Sequence, residues 1–184
     1  MTRVADGIYV LPDILSAEEC EEFIDLSELV GFDSAPISAI GGAIVHSDVR
    51  NNDRAILDNR VRASSLWARV KSHVPGFLNG RQALGLNERL RFYRYGPDQQ
   101  FAPHVDGSFV RANGERSLLT FMLYLNEGFE GGETKFNETT IQPAKAMALI
   151  FRHELLHEGA AVISGRKYVL RSDVMFGAVG YIRG

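Results

Sequence analysis

The chain has 184 residues, 45% hydrophobic and 23% charged, with a net charge of −3 and one cysteine. That length carries a single domain with its own core. The interspersed charge offers no basic footprint for nucleic acid or a membrane surface, and Cys20 alone makes neither an intrachain disulfide nor a cysteine-based zinc site.

In chain order, IYVLPDI (8–14) reads as a short strand, and Ser16 with Glu19 forms a capping box ahead of an amphipathic helix expected over about 17–30. The glycine-rich polar stretch that follows holds one expected strand near 37–47 and otherwise reads as loop. A second helix is expected over about 59–73, with Val61, Leu66, Trp67 and Val70 as its apolar stripe. From about residue 88 the period becomes that of strands: RLRFYRY, SLLTFMLYL, ETKF, MALIF and KYVLRSDVMF, separated by GPDQQ, DGSFVRANGER and NEGFEGG. Many short strands with turn signals between them, behind two helices, indicate an α+β chain with a mainly β sandwich or barrel core. The expected division is one domain over 1–184, with helical and loop support over 1–85 and a catalytic β core over 86–184. The N-terminal MTRVADGIYV lacks the apolar stretch of a signal peptide, and the longest apolar run, Ala146–Phe151, is too short to span a bilayer. A soluble cytoplasmic protein is expected, with no nucleic-acid or membrane partner and an open oligomeric state.

Residues 153–157 read HELLH, the spacing of a zinc-protease helix in which two histidines bind metal and the glutamate is the general base. The rest of such a site is missing. The metzincin extension wants glycine and histidine where Ala160 and Ile163 stand, no glutamate follows Glu158, and Gly159 would end the helix at once. The other histidine cluster is FAPHVDG, where His104 and Asp106 lie two apart; on a strand that spacing puts both on one face. Two histidines and a carboxylate around a metal with open positions is the arrangement of non-haem Fe(II) oxygenases. A later histidine is then needed, from among His153 and His157.

From about Arg89 to Phe176 the chain resembles the Fe(II)- and 2-oxoglutarate-dependent dioxygenases of the prolyl 4-hydroxylase type. The resemblance rests on YRYGPDQQFAPHVDG, then LTFMLYLNEGFEGGETKF, then LLHEGAAVISGRKYVLRSDV, in that order. It implies a double-stranded β-helix (jelly-roll or cupin-like) with the N-terminal helices packed on one sheet. It also implies His104, Asp106 and His157 as the catalytic metal ligands for Fe(II), and 2-oxoglutarate as co-substrate with its far carboxylate on Lys167. Arg171 shares the strand face of Lys167, Val169 and Asp173, and Arg166 is a neighbouring base, so three basic residues compete for that carboxylate. Tyr95 and Thr120 match positions that hydrogen-bond the co-substrate. The implied activity consumes O2, releases succinate and CO2 and hydroxylates an unactivated C–H bond, with ascorbate as an accessory reductant and a peptide, protein or small molecule as substrate. On this reading His153 is a bystander beside the metal, Glu154 has no assigned role, and Gly131, Gly132 and Glu133 shape a turn. Ala146 stands where relatives commonly have glycine. VRNNDR (49–54) and the 107–116 loop are polar segments near the expected pocket mouth. A zinc hydrolase through HELLH and a non-catalytic binding module of the same fold are the competing readings.

Overall fold

The computed structural model describes residues 2–35, 37–39, 42–44 and 49–178. The first half forms β1 (Thr2–Ala5), β2 (Ile8–Leu11), α1 (Ala17–Val30), β3 (Asp33–Ser34), β4 (Ile37–Ala39), β5 (Gly42–Ile44), β6 (Asp53–Asp58), α2 (Arg60–Val70) with a 3-10 turn over Lys71–His73, β7 (Phe77–Leu78) and β8 (Arg81–Leu86). The second half is all strand: β9 (Arg89–Tyr95), β10 (Phe101–His104), β11 (Arg116–Tyr124), β12 (Glu130–Gly131), β13 (Thr134–Phe136), β14 (Thr140–Ile141), β15 (Ala148–Arg152), β16 (His157–Gly159), β17 (Val162–Ser164) and β18 (Lys167–Ala178).

Both helices begin as their caps dictate. The Ser16 hydroxyl accepts from the Glu19 amide while the Glu19 carboxylate accepts from the Ser16 amide, and the Asn59 side chain accepts from the Arg62 amide. Glu19 also holds Arg69 of α2, tying the two helices together. The stripe of α2 differs from expectation: Ala63, Leu66 and Val70 are buried, Trp67 is partly so, and Val61 is 80% exposed, because the inward face runs at helical spacing from residue 63. The expected strand over 8–14 ends at Leu11, and the segment near 37–47 is the hairpin β4–β5 in place of one strand. His46 lies outside the described residues.

Ten strands form one antiparallel sheet in the order β1-β2-β15-β11-β18-β9-β6-β3, with β8 pairing the second half of β18 and β7 pairing β8. A smaller sheet, β10-β16-β13-β14, packs against it. The residues before 86 therefore do more than support the core, because β1, β2, β3, β6, β7 and β8 all belong to the large sheet.

Strand alternation sorts the side chains into two layers. Phe92 of β9, Phe121 and Leu123 of β11, Ile150 of β15 and Leu170 of β18 pack with Phe23 and Leu66 beneath the helices. Residues of the opposite alternation, Tyr93, Tyr95, Tyr124, Phe151 and Val169, point the other way and meet Ile141, Val162 and Phe136 between the sheets. Two antiparallel sheets face to face with helices outside one of them constitute the expected double-stranded β-helix.

The turn into β15 carries a local cost. Ala146 has φ 66°, a left-handed conformation that disfavours any Cβ, and it is pinned there because its amide donates to the Tyr124 carbonyl (2.9 Å) and its carbonyl accepts from the Ile14 amide (2.9 Å). Ala146→Gly is expected to stabilise the protein by about 0.5–1 kcal/mol, the left-handed penalty relieved less the burial of one methyl. A denaturant melt should show the midpoint rising; an unchanged or lower midpoint refutes this account of the turn.

Candidate metal centre and its pocket

His104 ends β10 and His157 begins β16, and the antiparallel register of these strands sets the two directly opposite each other. Asp106 lies beyond the end of β10, where its amide donates to the His153 carbonyl (3.0 Å). The expected strand spacing thus fails for this pair, and a turn off the strand end, fastened to the loop before β16, brings the carboxylate round instead. His104 Nε2 lies 3.9 Å and His157 Nε2 3.8 Å from the Asp106 oxygens, and one donor atom from each residue falls within 4.8 Å of the others.

Backbone carbonyls orient both imidazoles. His104 Nδ1–H donates to the Ala102 carbonyl (2.8 Å) and His157 Nδ1–H to that of Leu155 (2.9 Å), which leaves each Nε2 lone pair facing Asp106. Aromatic packing fixes the ring planes, with Phe101 stacked on His104 at 3.5 Å and Phe151 edge-on to His157 at 4.5 Å. Burial, reinforced by His157, pushes His104 down to about 4, and burial likewise lowers His157. For Asp106 burial pulls upward, but the Arg171 charge, His157 and the Thr120 hydroxyl outweigh it and hold the carboxyl well below its usual range. Near neutral pH the set is therefore two neutral imidazoles and one carboxylate, ready to bind a cation without expelling a proton.

A polar chain stands behind this set. Thr120 donates to Asp106 Oδ2 and lies 2.9 Å from His153 Nδ1, while His153 Nε2 lies 2.8 Å from the Ser117 hydroxyl. Arg171, 12% exposed, holds the other Asp106 oxygen at 2.8 Å and lies 3.3 Å from Asp173, which also pairs with Arg91 (3.0 Å). Thr120 is thus placed behind the carboxylate and away from the far end of the pocket, and Arg171 is committed to Asp106 and Asp173. Thr120, expected to hydrogen-bond the co-substrate, instead holds Asp106, while Arg171 lines the cavity with its guanidinium engaged by two carboxylates.

These groups open onto a cavity of about 410 Å³ whose lining includes Tyr95, Thr134, Lys167 and Arg171. Lys167 is 2% exposed. Its ammonium donates to the Gly132 carbonyl (2.5 Å) and lies 5.1 Å from the ring of Tyr95 and 5.4 Å from that of Tyr124. Burial pulls it down to about 7, only partly opposed by Glu133. Arg166 is exposed, so of the three bases only Lys167 presents a buried, unpaired charge to that end of the cavity. Gly132, at φ 68°, makes room for it: a Cβ there would come 3.0 Å from Lys167 Cδ. The GGET motif is therefore part of the site, and Tyr124, which holds the Thr134 hydroxyl at 2.7 Å, belongs with it. Sequence reading missed Thr134; its signal was the motif itself, where a hydroxyl follows two glycines and an acid.

HELLH is not helical. His153 and Glu154 form a turn after β15, Glu154 is exposed, and His153 is buried on Ser117 and Thr120 with its nitrogens engaged. His157 joins the metal set and His153 supports it from behind. His73 closes the 3-10 turn after α2, away from the cavity lining. Of the mouth segments, Val49, Arg50, Arg54 and Gly107 do line the cavity.

Residues 90–172 match the 2OG-Fe(II) oxygenase superfamily. Among curated proteins the chain is 27% identical to Prolyl 4-hydroxylase 1 of Arabidopsis thaliana, over 88% of this chain and 66% of that one. It is 33% identical to a PKHD-type hydroxylase of Klebsiella pneumoniae (strain 342), over 72% of this chain and 60% of that one. The chain thus spans about 60–66% of the length of these relatives. Among solved structures, the 2OG complex of the viral collagen prolyl hydroxylase of Paramecium Bursaria Chlorella virus-1 superposes with a TM-score of 0.63 at 24% identity, covering 96% of this chain and all of that one. A Trichoplax adhaerens prolyl hydroxylase in complex with a hypoxia inducible factor peptide fragment superposes with a TM-score of 0.67 at 17% identity, over 91% and 83% of the two chains. At such identities these structures establish the fold. The two-histidine, one-carboxylate set lies inside the segment that is similar to the 2OG-Fe(II) oxygenase superfamily, and the chain has the fold of the prolyl hydroxylase structures it superposes on.

Proposed function

We propose that the chain is an Fe(II)- and 2-oxoglutarate-dependent hydroxylase of an unactivated C–H bond, with a prolyl residue in a peptide or protein as its leading substrate class. The observation that carries this reading is the donor set of His104, Asp106 and His157 sharing one cavity with the buried Lys167. The names of the relatives above support the prolyl class. The donor set fits a ferrous ion, since neutral imidazoles and one carboxylate suit it and leave further positions open toward the cavity. When bound, iron and 2-oxoglutarate together supply O2 activation, with decarboxylation of the co-substrate to succinate and CO2 and transfer of one oxygen atom to the substrate.

The chain's own residues do the rest. The Ala102 and Leu155 carbonyls keep both Nε2 lone pairs forward, and Thr120 and Arg171 fix the plane of Asp106 while leaving lone pairs of both oxygens free. Lys167 would take the far carboxylate of 2-oxoglutarate, with Tyr95 and Thr134 lining that end. The aromatic walls Phe101, Phe136 and Phe151 around the imidazoles keep the centre dry. We assign the protein to the cytoplasm, a reducing compartment suited to ferrous iron and to a chain whose one cysteine is free and buried.

Purified protein with Fe(II) and 2-oxoglutarate is expected to form succinate, and His104→Ala, Asp106→Ala or His157→Ala to lower the rate at least 100-fold. Glu154→Gln should retain it; peptide cleavage that stops in Glu154→Gln and survives Asp106→Ala would establish the zinc reading instead.

Lys167 sets a pH dependence. Carboxylate binding needs the ammonium, and with the free-site value about 7 its protonated fraction falls close to tenfold per unit above that. The Kd for 2-oxoglutarate should therefore rise severalfold from pH 7 to 8 and nearly tenfold from 8 to 9, with uptake of up to one proton, read by calorimetry in buffers of different ionisation enthalpy. In the ligand-free protein the sign is opposite for folding. The unfolded chain holds a proton up to about 10.5 that the folded one has released, so this group makes stability rise with pH between about 7 and 10.5. A flat Kd across that range removes Lys167 from the role. Gly132→Ala, which crowds the Lys167 stem, should raise the 2-oxoglutarate KM about tenfold while leaving Co(II) affinity within twofold; a parallel loss of both would place the glycine in the metal centre instead.

A further inference from the structure

The cavity holds more positive charge than the metal and co-substrate explain. Arg50, Arg54, Arg91, Lys167 and Arg171 all line it. Against these five cations stand Asp106, which also lines it, and Asp173, which pairs with Arg91 and Arg171. Counting Glu133 near Lys167 as a third carboxylate, the described residues still carry an excess of two positive charges. A ferrous ion and a 2-oxoglutarate dianion cancel each other, so loading the site does not reduce this excess.

The excess is concentrated at Arg50. This residue is 5% exposed, its guanidinium lies over the rings of Tyr93 (4.4 Å) and Phe101 (4.5 Å), and its Nε donates to the neutral Asn52 amide oxygen (2.8 Å). Nη2 is buried without a hydrogen-bond partner, and among the described residues no carboxylate pairs with Arg50. Burying a guanidinium is costly unless an anion or a full set of acceptors replaces its water. Stacking on two aromatic faces offsets part of that cost and fixes the plane of the fork, which is the preparation a bidentate oxyanion contact needs. Arg54 faces the same space: its strand register sets it opposite Tyr93, and burial with repulsion from Arg50 and Arg91 lowers its pKa. The position is separate from the Lys167 end, for Lys167 pairs with Tyr95, one further pocket-facing residue along β9. It is nonetheless close to the chemistry, because Phe101, under Arg50, stacks on His104.

We propose that Arg50, assisted by Arg54, is an oxyanion subsite for the primary substrate, and that the group oxidised lies beside a carboxylate of that substrate. This rests on the hydroxylase reading above and narrows it: a prolyl substrate would carry the carboxylate as its own C-terminus or as a neighbouring acidic side chain, and a neutral prolyl peptide would be a poor substrate.

The subsite is read by titrating acetate, and separately inorganic phosphate, into protein loaded with Mn(II) and 2-oxoglutarate at constant ionic strength, followed by calorimetry. One saturable anion per chain is expected, weakened at least tenfold in Arg50→Gln, three- to tenfold in Arg54→Gln, and partly restored in Arg50→Lys. The absence of saturable binding in the wild type, or binding equal to wild type in the glutamine variants, overturns the proposal. Arg54→Gln, at a half-buried position, keeps the test decisive should Arg50→Gln fail to fold. The two carboxylate sources are separated by succinate formation. Stimulation by N-acetyl-L-proline over N-acetyl-L-prolinamide identifies the terminal carboxylate, and stimulation by an Asp-Pro peptide over its Asn-Pro counterpart identifies the side chain. Equal stimulation by the neutral partner in both pairs counts against the subsite. Failure to bind 2-oxoglutarate with the metal would sink the hydroxylase reading alone, since the same titration on unloaded protein reads Arg50 independently.

Discussion

A strand hydrogen-bonded along both edges cannot slip by one residue without turning every side chain to the opposite face, and β18 is held in this way by β11 on one edge and by β9 and then β8 on the other. Lys167, Val169, Arg171 and Asp173 are thereby committed to the cavity side, while Leu170, Val174 and Phe176 are committed to the core under the helices. The same register sets Tyr95 beside Lys167 and Arg91 beside Arg171. One strand thus carries the apolar layer that holds the fold and the cationic row that gives the pocket its chemistry. A slip would exchange the two, placing lysine and arginine in the core, so the burial that stabilises the sheet also enforces the site.

The cavity is organised around buried charge whose lost hydration is replaced group by group. Depressing Lys167 from 10.5 to about 7 corresponds to roughly 5 kcal/mol of disfavour for the ammonium, offset in the free protein by one carbonyl and two aromatic faces. A ligand carboxylate placed beside the ammonium would relieve that deficit. Asp106 is treated differently, with a cation on one oxygen and a hydroxyl on the other, so it stays ionised where burial alone would neutralise it. The Ser117–His153–Thr120 chain fixes that hydroxyl. Arg50 keeps one guanidinium nitrogen buried without a hydrogen-bond partner.

The pentapeptide HELLH shows how little a local motif decides. Its zinc reading needs a helix that would present both histidines on one face, but the segment leaves β15 in a turn and enters β16. The first histidine faces inward to Thr120 and the second faces the cavity. Identical spacing yields one supporting residue and one metal donor because the backbone between them is a turn and a strand.

Period, caps and breakers in the sequence were enough to determine both helices, the main strands after residue 88 and the two faces of β18, because those patterns follow from burial on one side of an element and are local. The order of motifs around HVD, GGET and HEG singled out His104, Asp106 and His157, whose donor atoms the structure gathers, and Lys167, which lines the same cavity. Other features depended on pairing between distant segments, which no local pattern encodes. The first residues enter the large sheet because β2 pairs with β15 and β6 with β9. Thr120 serves Asp106 because β11 passes behind it, and Thr134 takes a place near Lys167. Arg50, in a polar segment that reads as loop, is buried because Tyr93 and Phe101, far along the chain, close over it. Side-chain alternation is a property of each strand and so is written in the sequence; which strands become neighbours, and hence which charges meet, is decided only when the sheets assemble.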